Sequence, residues 1–224
     1  MNRSHANPAG PIVIAVDGPA ASGKGTIARA LARHFGLPHM DTGMLYRAVA
    51  LTMFRFGGDP GSEFEALRAC EGVAQVDPAD PELRSEAVGA IASRISAYPG
   101  VRAALLERQR GFAGQPSGAV LDGRDIGTVI APHASVKLFV TASPEVRAQR
   151  RVRELLERGM PAHLEDVLVD IRARDARDSG RDAAPLRQAD DAELLDTSDM
   201  DIDAAIEAAI SLAEEKLGAL ADKG

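Results

Sequence analysis

Cysteine is almost absent from this chain of 224 residues, which contains only Cys70. A single cysteine cannot form a disulfide within the chain, and this fits a reducing compartment, so we expect a cytoplasmic protein. We expect Cys70 itself to be a small buried apolar residue. No apolar run approaches the ~18 residues of a membrane helix. Residues 1–10 are polar and lack the apolar stretch of a signal peptide, so we interpret them as a flexible tail.

The chain also has fewer positive than negative side chains, with 26 Lys and Arg against 33 Asp and Glu, so its formal net charge is −7. Binding to a nucleic-acid polymer depends on neutralising its phosphates with Lys and Arg, so this balance argues against such a partner. A small anionic ligand needs only local arginines. Hydrophobic residues make up 45% of the chain and charged residues 26%, as in ordinary globular proteins. The length is enough for one α/β domain with inserted subdomains.

Strand and helix patterns alternate along most of the chain. The apolar, β-branched run 11–17 predicts a strand buried on both faces, and a helix with one apolar face follows over 24–35. This alternation predicts an α/β fold with a doubly wound parallel sheet and right-handed crossovers. Further strands are expected near residue 39 and at 119–122, 136–140 and 192–195, and further helices at 43–54, 144–158, 164–177 and 202–220.

Residues 59–117 differ in character, because Pro and Gly divide them into short helices. We interpret them as an insert outside the main sheet, in which only 73–76 has even a weak strand pattern. Residues 177–185 are charged and contain Gly, and we expect a loop there. We therefore predict a single domain over 1–224, made of a core (11–58, 118–158 and 186–224), an acceptor-binding insert (59–117) and a short arginine-rich lid region (159–185).

The strongest motif is G-x-x-x-x-G-K between the first predicted strand and helix. Its glycines let backbone N–H groups turn inward around a phosphate, and the helix N-terminus adds partial positive charge. Lys24 would reach the β- and γ-phosphates of ATP, and Thr26 would supply a hydroxyl to Mg²⁺. Gly25 stands where GTPases and motor ATPases have Ser or Thr, and G-K-G-T is typical of nucleoside monophosphate kinases. The predicted ATP-binding residues are Gly18, Pro19, Ala20, Ala21, Ser22, Gly23, Lys24, Gly25 and Thr26. A glycine-rich turn without a ligand is the alternative.

The triplet Asp41-Thr42-Gly43 opens the second predicted helix, with Arg47 one turn further on. A threonine at a helix N-terminus can hold an anion. The same triplet occurs in aspartic proteases, which need a second copy or a dimer; no second copy exists here and a helix follows. The alternative is that Asp41 is an ordinary N-cap.

Gly-Arg-Asp-Ile-Gly-Thr at 123–128 follows a predicted core strand, where open α/β sheets bind ligands. Asp122 is our candidate to hold Mg²⁺, directly or through water. Arg124 could clamp a phosphate with two parallel hydrogen bonds, and Asp125 could accept hydrogen bonds from an amino group or a hydroxyl. A tight turn with a surface ion pair is the alternative.

Arginines and aspartates are interspersed over 170–182. Such a charge run is usually a solvated helix end with paired charges. Next to a phosphate loop, arginines on a mobile lid can instead neutralise the charge that phosphoryl transfer develops. The residues that we expect to act in catalysis are Lys24, Arg124, Arg177 and Arg181.

Together these motifs resemble the bacterial cytidylate kinase family. The resemblance extends from about residue 12 to 220 and rests on 18–26, 41–47, 98–102, 122–128 and 174–181. It implies a P-loop kinase that uses ATP and Mg²⁺ to phosphorylate CMP and dCMP, and we expect a monomer. It also implies residue roles: Arg47, Arg124 and Arg181 would hold the acceptor phosphate with Thr42 nearby, Ser93, Arg102 and Asp125 would read the cytosine edge, and Arg174 and Asp178 would contact the sugar hydroxyls.

The segment between Arg47 and Arg84 is shorter than in longer members of the family, so its small inserted sheet is expected to be reduced or absent. No general base is expected, since a nucleotide phosphate is already an anion. We expect the five histidines to be structural or surface residues (His5, His34, His39, His133 and His163). A kinase for UMP, AMP or a hydroxylated metabolite is one alternative. A nucleotide-gated switch is another, but the Asn-Lys-x-Asp motif of guanine switches is absent, because the only asparagines are Asn2 and Asn7.

Overall fold

The computed structural model describes residues 10–222, which form a five-stranded parallel sheet in the order β2-β3-β1-β4-β5. Each neighbouring pair of strands is parallel. The predicted α/β fold is thereby confirmed. The strands are β1 Val13–Asp17, β2 His39–Asp41, β3 Ala119–Gly123, β4 Val136–Thr141 and β5 Glu193–Asp196; the helices are α1 Lys24–Phe35, α2 Thr42–Phe56, α3 Glu63–Ala69, α4 Glu86–Ile95, α5 Pro99–Ala113, α6 Pro144–Glu157, α7 Leu164–Gly180 and α8 Ile202–Ala221.

Strand β1 lies at the centre of the sheet and is buried on both faces. Ile14 and Val16 pack against α1 and α8, while Ala15 points to the other face and packs with Ala113 of α5. The alternation of side chains along a strand explains why a continuous apolar run is needed here. Helices therefore cover both faces, and the carboxyl ends of the strands are left to form a site.

A second apolar cluster holds α2 to the insert, with Leu51, Leu83 and Ile95 fully buried in it. Short helices begin at serine caps, as where Ser85 Oγ accepts from the Val88 N–H at 3.2 Å. The weak strand prediction at 73–76 was wrong, because Cys70–Gln75 forms a 3₁₀ turn. Residues 59–117 are all described and contain no strand, so a strand at 73–76 would have no partner strand within the insert. The segment forms the local hydrogen bonds of a 3₁₀ turn instead.

Helix α7 is longer than expected. The predicted loop began at residue 177, whereas the helix continues to Gly180. Asp178 in its last turn is buried and pairs with Arg124, and its carbonyl accepts from the Leu186 N–H at 2.8 Å. These contacts hold the last turn, so the true loop starts at Arg181.

Two further expectations concern the chain ends and Cys70. The proposed tail and His5 lie outside the described residues, apart from residue 10. Cys70 is half-buried rather than buried, and its Sγ donates to the Ala66 carbonyl at 3.4 Å. Within residues 10–222, no helix combines the length and the apolar character needed to cross a membrane.

Candidate active site

A cleft of about 700 Å³ opens at the carboxyl ends of the central strands. Its walls come from the loop after β1, the start of α2, one face of α4, and helices α6 and α7. Among the residues predicted to act, it brings together the phosphate loop, Arg47, Ser93, Asp122, Arg124, Arg174 and Arg177.

The phosphate loop has the backbone shape that its sequence requires. Gly18 has φ +155°, and a Cβ there would overlap the Val140 carbonyl, so only glycine fits. Ala21 is left-handed at φ +58°, which is unusual for a residue with a side chain. Gly23, also left-handed, caps α1. The loop therefore presents its N–H groups at the start of a helix, as an anion site does.

Lys24 is the first residue of α1, and its Nζ donates to the Pro19 carbonyl at 3.3 Å. Burial, and secondly the positive charge of Arg124, lower its pKa to about 7. The ammonium is therefore poorly stabilised until an anion arrives. A bound phosphate would supply the missing negative charge.

Two carboxylates lie side by side where β2 and β3 end, because Asp41 and Asp122 are paired in the sheet register. Burial raises the pKa of Asp41, and the nearby Asp122 raises it further. His39 Nε2 lies 2.8 Å from Asp122 Oδ1. This histidine was expected to be structural or superficial, and instead it orients a carboxylate of the site. Its place two residues before Asp41 on a short strand was the signal available in the sequence.

Thr26, the other predicted Mg²⁺ ligand, lines the same cleft as Asp122. Its Oγ1 accepts a hydrogen bond from Arg29 Nη2 at 3.2 Å. The residue that faces Asp122 is Gly25, where an added Cβ would lie 3.6 Å from Asp122 Oδ2. That Thr26 and Asp122 hold the same cation stays a prediction. Residues 10–222 contain no cluster of three or more His, Cys, Asp or Glu side chains that could hold a metal.

Six arginines line the cleft together with Lys24, and four of the six were predicted to act. Arg47 is fixed by hydrogen bonds from Nη1 to the carbonyls of Leu83 (2.7 Å) and Ser85 (3.3 Å). Burial lowers the pKa of Arg174 to about 10, as does the charge of Arg124, and its buried Nε has no hydrogen-bond partner. A buried guanidinium N–H without a partner costs free energy, and a bound anion would satisfy it. The four are Arg47, Arg124, Arg174 and Arg177.

Asp178 and Arg124 form a buried ion pair, with Arg124 Nε donating to Asp178 Oδ2 at 2.8 Å. Burial raises the pKa of Asp178, but Arg124 and Arg174 outweigh it and hold the pKa below its usual range. The pair joins the turn after β3 to α7. It places two predicted acceptor-binding residues in contact.

A buried cluster of polar side chains surrounds Asp125. Arg102 donates to Asp125, and its guanidinium lies 6.0 Å from the centre of the Tyr46 ring. Burial raises the pKa of Asp125, and the two arginines beside it oppose that rise. Ser93 is buried with an unpaired Oγ. Arg181 lies here too, with Nη2 3.8 Å from Asp125 Oδ1, and it does not line the cleft. Its role in holding phosphate stays a prediction.

Thr42 is turned away from its predicted role. Its buried hydroxyl donates to the Asp122 carbonyl at 2.8 Å and so ties α2 to β3.

Two residues that support the site were not predicted from the sequence. Asp17 accepts from the N–H groups of Ile126 (2.8 Å) and Gly127 (2.7 Å), and a polar residue that ends a buried apolar strand was the available signal. Gly89 leaves room for Arg47, and nothing in the sequence marked it.

Comparison with known proteins identifies the family. The family model for cytidylate kinase matches residues 14–215. A cytidylate kinase of Xanthobacter autotrophicus is 59% identical over 207 residues, which cover 92% of this chain and 98% of the relative. One of Methylobacterium sp. is 61% identical over 181 residues, covering 81% and 86%. An uncharacterised protein from Eubacterium ventriosum, 15% identical, shares the fold alone with a TM-score of 0.55 over 91% of this chain and 98% of that one. The chain belongs to the cytidylate kinase family.

Proposed function

We infer that this chain is a phosphotransferase that uses ATP to phosphorylate CMP and dCMP, and we propose the residue roles given below. The observation that carries the proposal is one cleft in which a phosphate loop faces a cluster of buried arginines. A donor phosphate and an acceptor phosphate can meet there. The polar cluster around Asp125 would supply the groups that read a base.

ATP would bind along residues 18–26, with Lys24 at the β- and γ-phosphates. Arg47, Arg124 and Arg174 would hold the acceptor phosphate, because these buried cations converge on the cleft. Arg177, exposed on α7, would add positive charge when the site closes. Catalysis then consists of positioning and charge neutralisation, and no general base is needed because the attacking phosphate is an anion.

The cytosine edge offers an amino donor and carbonyl acceptors. Asp125 can accept from the amino group, while Arg102 and the unpaired hydroxyl of Ser93 can donate to the carbonyl side. Arg181 would join this base-reading set, since it lies against Asp125. A wrong base would leave these buried groups unpaired, which costs free energy and gives selectivity. Asp178, with Arg174 beside it, would contact the sugar hydroxyls.

A kinase that uses ATP generally needs a divalent cation, and we propose Mg²⁺. The donors present fit it: the carboxylates of Asp41 and Asp122 are hard oxygen ligands at the end of the sheet. When bound, the ion neutralises charge on the phosphates of ATP. The chain's own contribution is to hold Asp122 in place through His39 and to leave space above Gly25. We further propose that the protein acts as a cytoplasmic monomer.

The first experiment is a coupled ADP-release assay with ATP, Mg²⁺ and, in turn, CMP, dCMP, UMP, AMP and GMP. We expect strong turnover with CMP and dCMP only. Strong turnover with AMP, GMP or UMP would overturn the base-reading roles. The absence of turnover with all five would favour another acceptor or a nucleotide-gated switch.

Asp125→Ala tests the base-reading cluster directly. We expect kcat/KM for CMP to fall by about 100-fold or more, while the KM for ATP changes little, because a buried charge-assisted hydrogen bond contributes roughly 3 kcal/mol. Asp182→Ala, which removes an exposed carboxylate from the loop after α7, is the control and should behave as wild type. Unchanged CMP kinetics in Asp125→Ala would refute the assignment.

A further inference from the structure

Helix α6 lies behind the phosphate loop and contacts its backbone through two arginines. Arg147 Nη1 donates to the Ala20 carbonyl at 3.3 Å, and Arg150 Nη1 donates to the Ser22 carbonyl at 3.4 Å. Thr197, which follows β5, also donates to the Ser22 carbonyl at 3.4 Å. The carbonyls on both sides of Ala21 are therefore bound from behind.

These contacts match what a phosphate loop needs. When its N–H groups turn inward toward an anion, its carbonyls turn outward and must find other donors. Ala21 is left-handed at φ +58°, a conformation that a residue with a Cβ keeps only when its surroundings hold it. Arg147 and Arg150 supply donors on each side of this residue. The backing arginines thus hold the shape of the loop.

Arg147 also reaches the lid. Its Nη1 and Nη2 donate to the two carboxylate oxygens of Asp175 on α7, at 3.0 and 2.6 Å. The Arg147 side chain is only 4% exposed, so the bidentate pair is largely shielded from water and has a fixed geometry. Its Nε donates to the Ala142 carbonyl at 2.8 Å, which leaves the guanidinium little freedom. One guanidinium therefore contacts the phosphate loop and the lid helix together.

Helix α7 carries residues of the acceptor side as direct neighbours of Asp175. Arg174 lines the cleft, and Asp178, one turn on, pairs with Arg124. A shift of α7 that changes the Arg147–Asp175 pair would move these groups as well. The phosphate loop and the acceptor residues are thus joined through one buried ion pair.

We propose that Arg147 and Asp175 are positioning residues that couple occupancy of the ATP loop to the acceptor-binding geometry of α7. Neither needs to touch a substrate. Binding of ATP would fix the loop carbonyls, stabilise the pair and hold α7 so that CMP binds more tightly. Coupling between two sites is reciprocal, so CMP would tighten ATP binding by the same factor. This inference rests on the proposed binding of ATP at 18–26 and of CMP in the cleft.

The test is calorimetric binding of CMP and of a non-hydrolysable ATP analogue with Mg²⁺, each alone and each in the presence of the other. Wild type should show a coupling factor of about five- to tenfold or more. Asp175→Asn, which keeps the size of the side chain but loses the bidentate charged pair, should reduce the factor toward one. Arg147→Lys, which keeps the charge but not the fork, should do the same and provides a second variant if Asp175→Asn is poorly folded.

Glu145→Gln is the matched control, because Glu145 pairs with Arg172 at 2.7 Å between the same two helices, both side chains being more than half exposed. It should keep the wild-type coupling factor. Hydrogen exchange gives a readout independent of activity: the ATP analogue should protect amides of α7 in wild type and in Glu145→Gln, but less in Asp175→Asn.

The outcomes distinguish a failure of the proposed function from a failure of the positioning role. If wild type fails to bind the analogue or CMP, the proposed function is wrong. If wild type binds both and Asp175→Asn and Arg147→Lys retain full coupling, the positioning role is wrong, even if both variants melt at lower temperature. Equal loss of coupling in Glu145→Gln would also overturn it, because any contact between α6 and α7 would then suffice.

Discussion

Gly89 shows how a missing side chain can shape a binding site. It lies on the face of α4 that lines the cleft, one turn before Ser93. A Cβ at this position would lie 2.8 Å from Arg47 Nη2. Because Arg47 is held by backbone carbonyls of the insert, its guanidinium has little room to move away. The glycine is therefore needed for the position of Arg47, which we propose binds the acceptor phosphate.

Gly89→Ala should accordingly raise the KM for CMP by about tenfold with little change in the KM for ATP, since displacement of one charged contact is worth roughly 1–2 kcal/mol. The control is Gly111→Ala in α5, where nothing lies within 4 Å of an added Cβ. That change should stabilise the protein slightly, because alanine favours a helix over glycine by about 1 kcal/mol, and leave both KM values unchanged. Equal CMP kinetics in the two variants would contradict the steric argument.

Lys24 gives a prediction on pH. Its pKa of about 7 in the free protein lies well below the usual value, because burial disfavours the ammonium. Phosphate favours the charged form, so above pH 7 the complex holds a proton that the free protein lacks. Affinity for ATP should therefore fall as the pH rises above 7, by up to about tenfold per pH unit.

Calorimetry at pH 8 in two buffers of different ionisation enthalpy measures this proton uptake directly. Lys24→Arg is the comparison, because a guanidinium stays charged throughout this range. Residual binding by that variant should proceed without proton uptake. Equal proton uptake in the two proteins would assign the effect to another group.

At the scale of elements, Asp17 joins the end of β1 to the turn Ile126–Ile130 that follows β3. Both of its carboxylate oxygens accept backbone N–H groups of that turn, and the turn directly follows Asp125. The sheet thus fixes Asp125, the carboxylate that we propose reads the base, through a residue that no substrate needs to touch. Burial raises the pKa of Asp17 to about 7, although the two hydrogen bonds lower it in part.

A raised pKa for an acid means that the folded state binds a proton more tightly than the unfolded chain. The Asp17 contribution to stability is therefore greatest below pH 4 and is lost as the pH rises toward 7, by at most about 4 kcal/mol. Urea unfolding at pH 5 and pH 7.5 should show a larger loss of unfolding free energy in wild type than in Asp17→Asn, which cannot ionise. The same pH dependence in both proteins would show that Asp17 is not the group responsible.

At the scale of the whole molecule, the balance of charged side chains in the cleft differs from the net charge of the chain. The chain is acidic overall, at −7, whereas seven Lys and Arg residues and six Asp and Glu residues line the cleft. The cations are Lys24, Arg29, Arg47, Arg124, Arg151, Arg174 and Arg177. Folding brings these cations together and buries several of them, so their mutual repulsion is a cost of the ligand-free state. An anion in the cleft removes that cost, and a ligand that binds only the folded protein stabilises it.

Inorganic phosphate should therefore raise the melting temperature more than chloride does at equal ionic strength. A concentration of 100 times the dissociation constant would add about 2.7 kcal/mol. Arg174→Met should melt at a higher temperature than wild type without phosphate, since it removes a buried cation without a full set of partners, and should gain less when phosphate is added. An identical gain in both proteins would place the anion elsewhere.

The sequence by itself determined the sheet, the phosphate loop and the chemical class of the site. Each of these depends on local patterns: a continuous apolar strand, glycines at fixed spacing and a helix directly after them. The motifs 41–47, 122–128 and 174–181 identified the family for the same reason, because their residue types and spacing are read along the chain.

Only the tertiary structure decided which partners these residues have. Arg181 lies beside Asp125. The hydroxyl of Thr26 accepts a hydrogen bond from Arg29. The hydroxyl of Thr42 donates to the Asp122 carbonyl. His39, Gly89 and the Arg147–Asp175 pair act across distances of tens of residues in the sequence. The physical reason is that hydrogen bonds, steric room and burial depend on which side chains meet in space, and the order of residues along a chain does not specify those meetings directly.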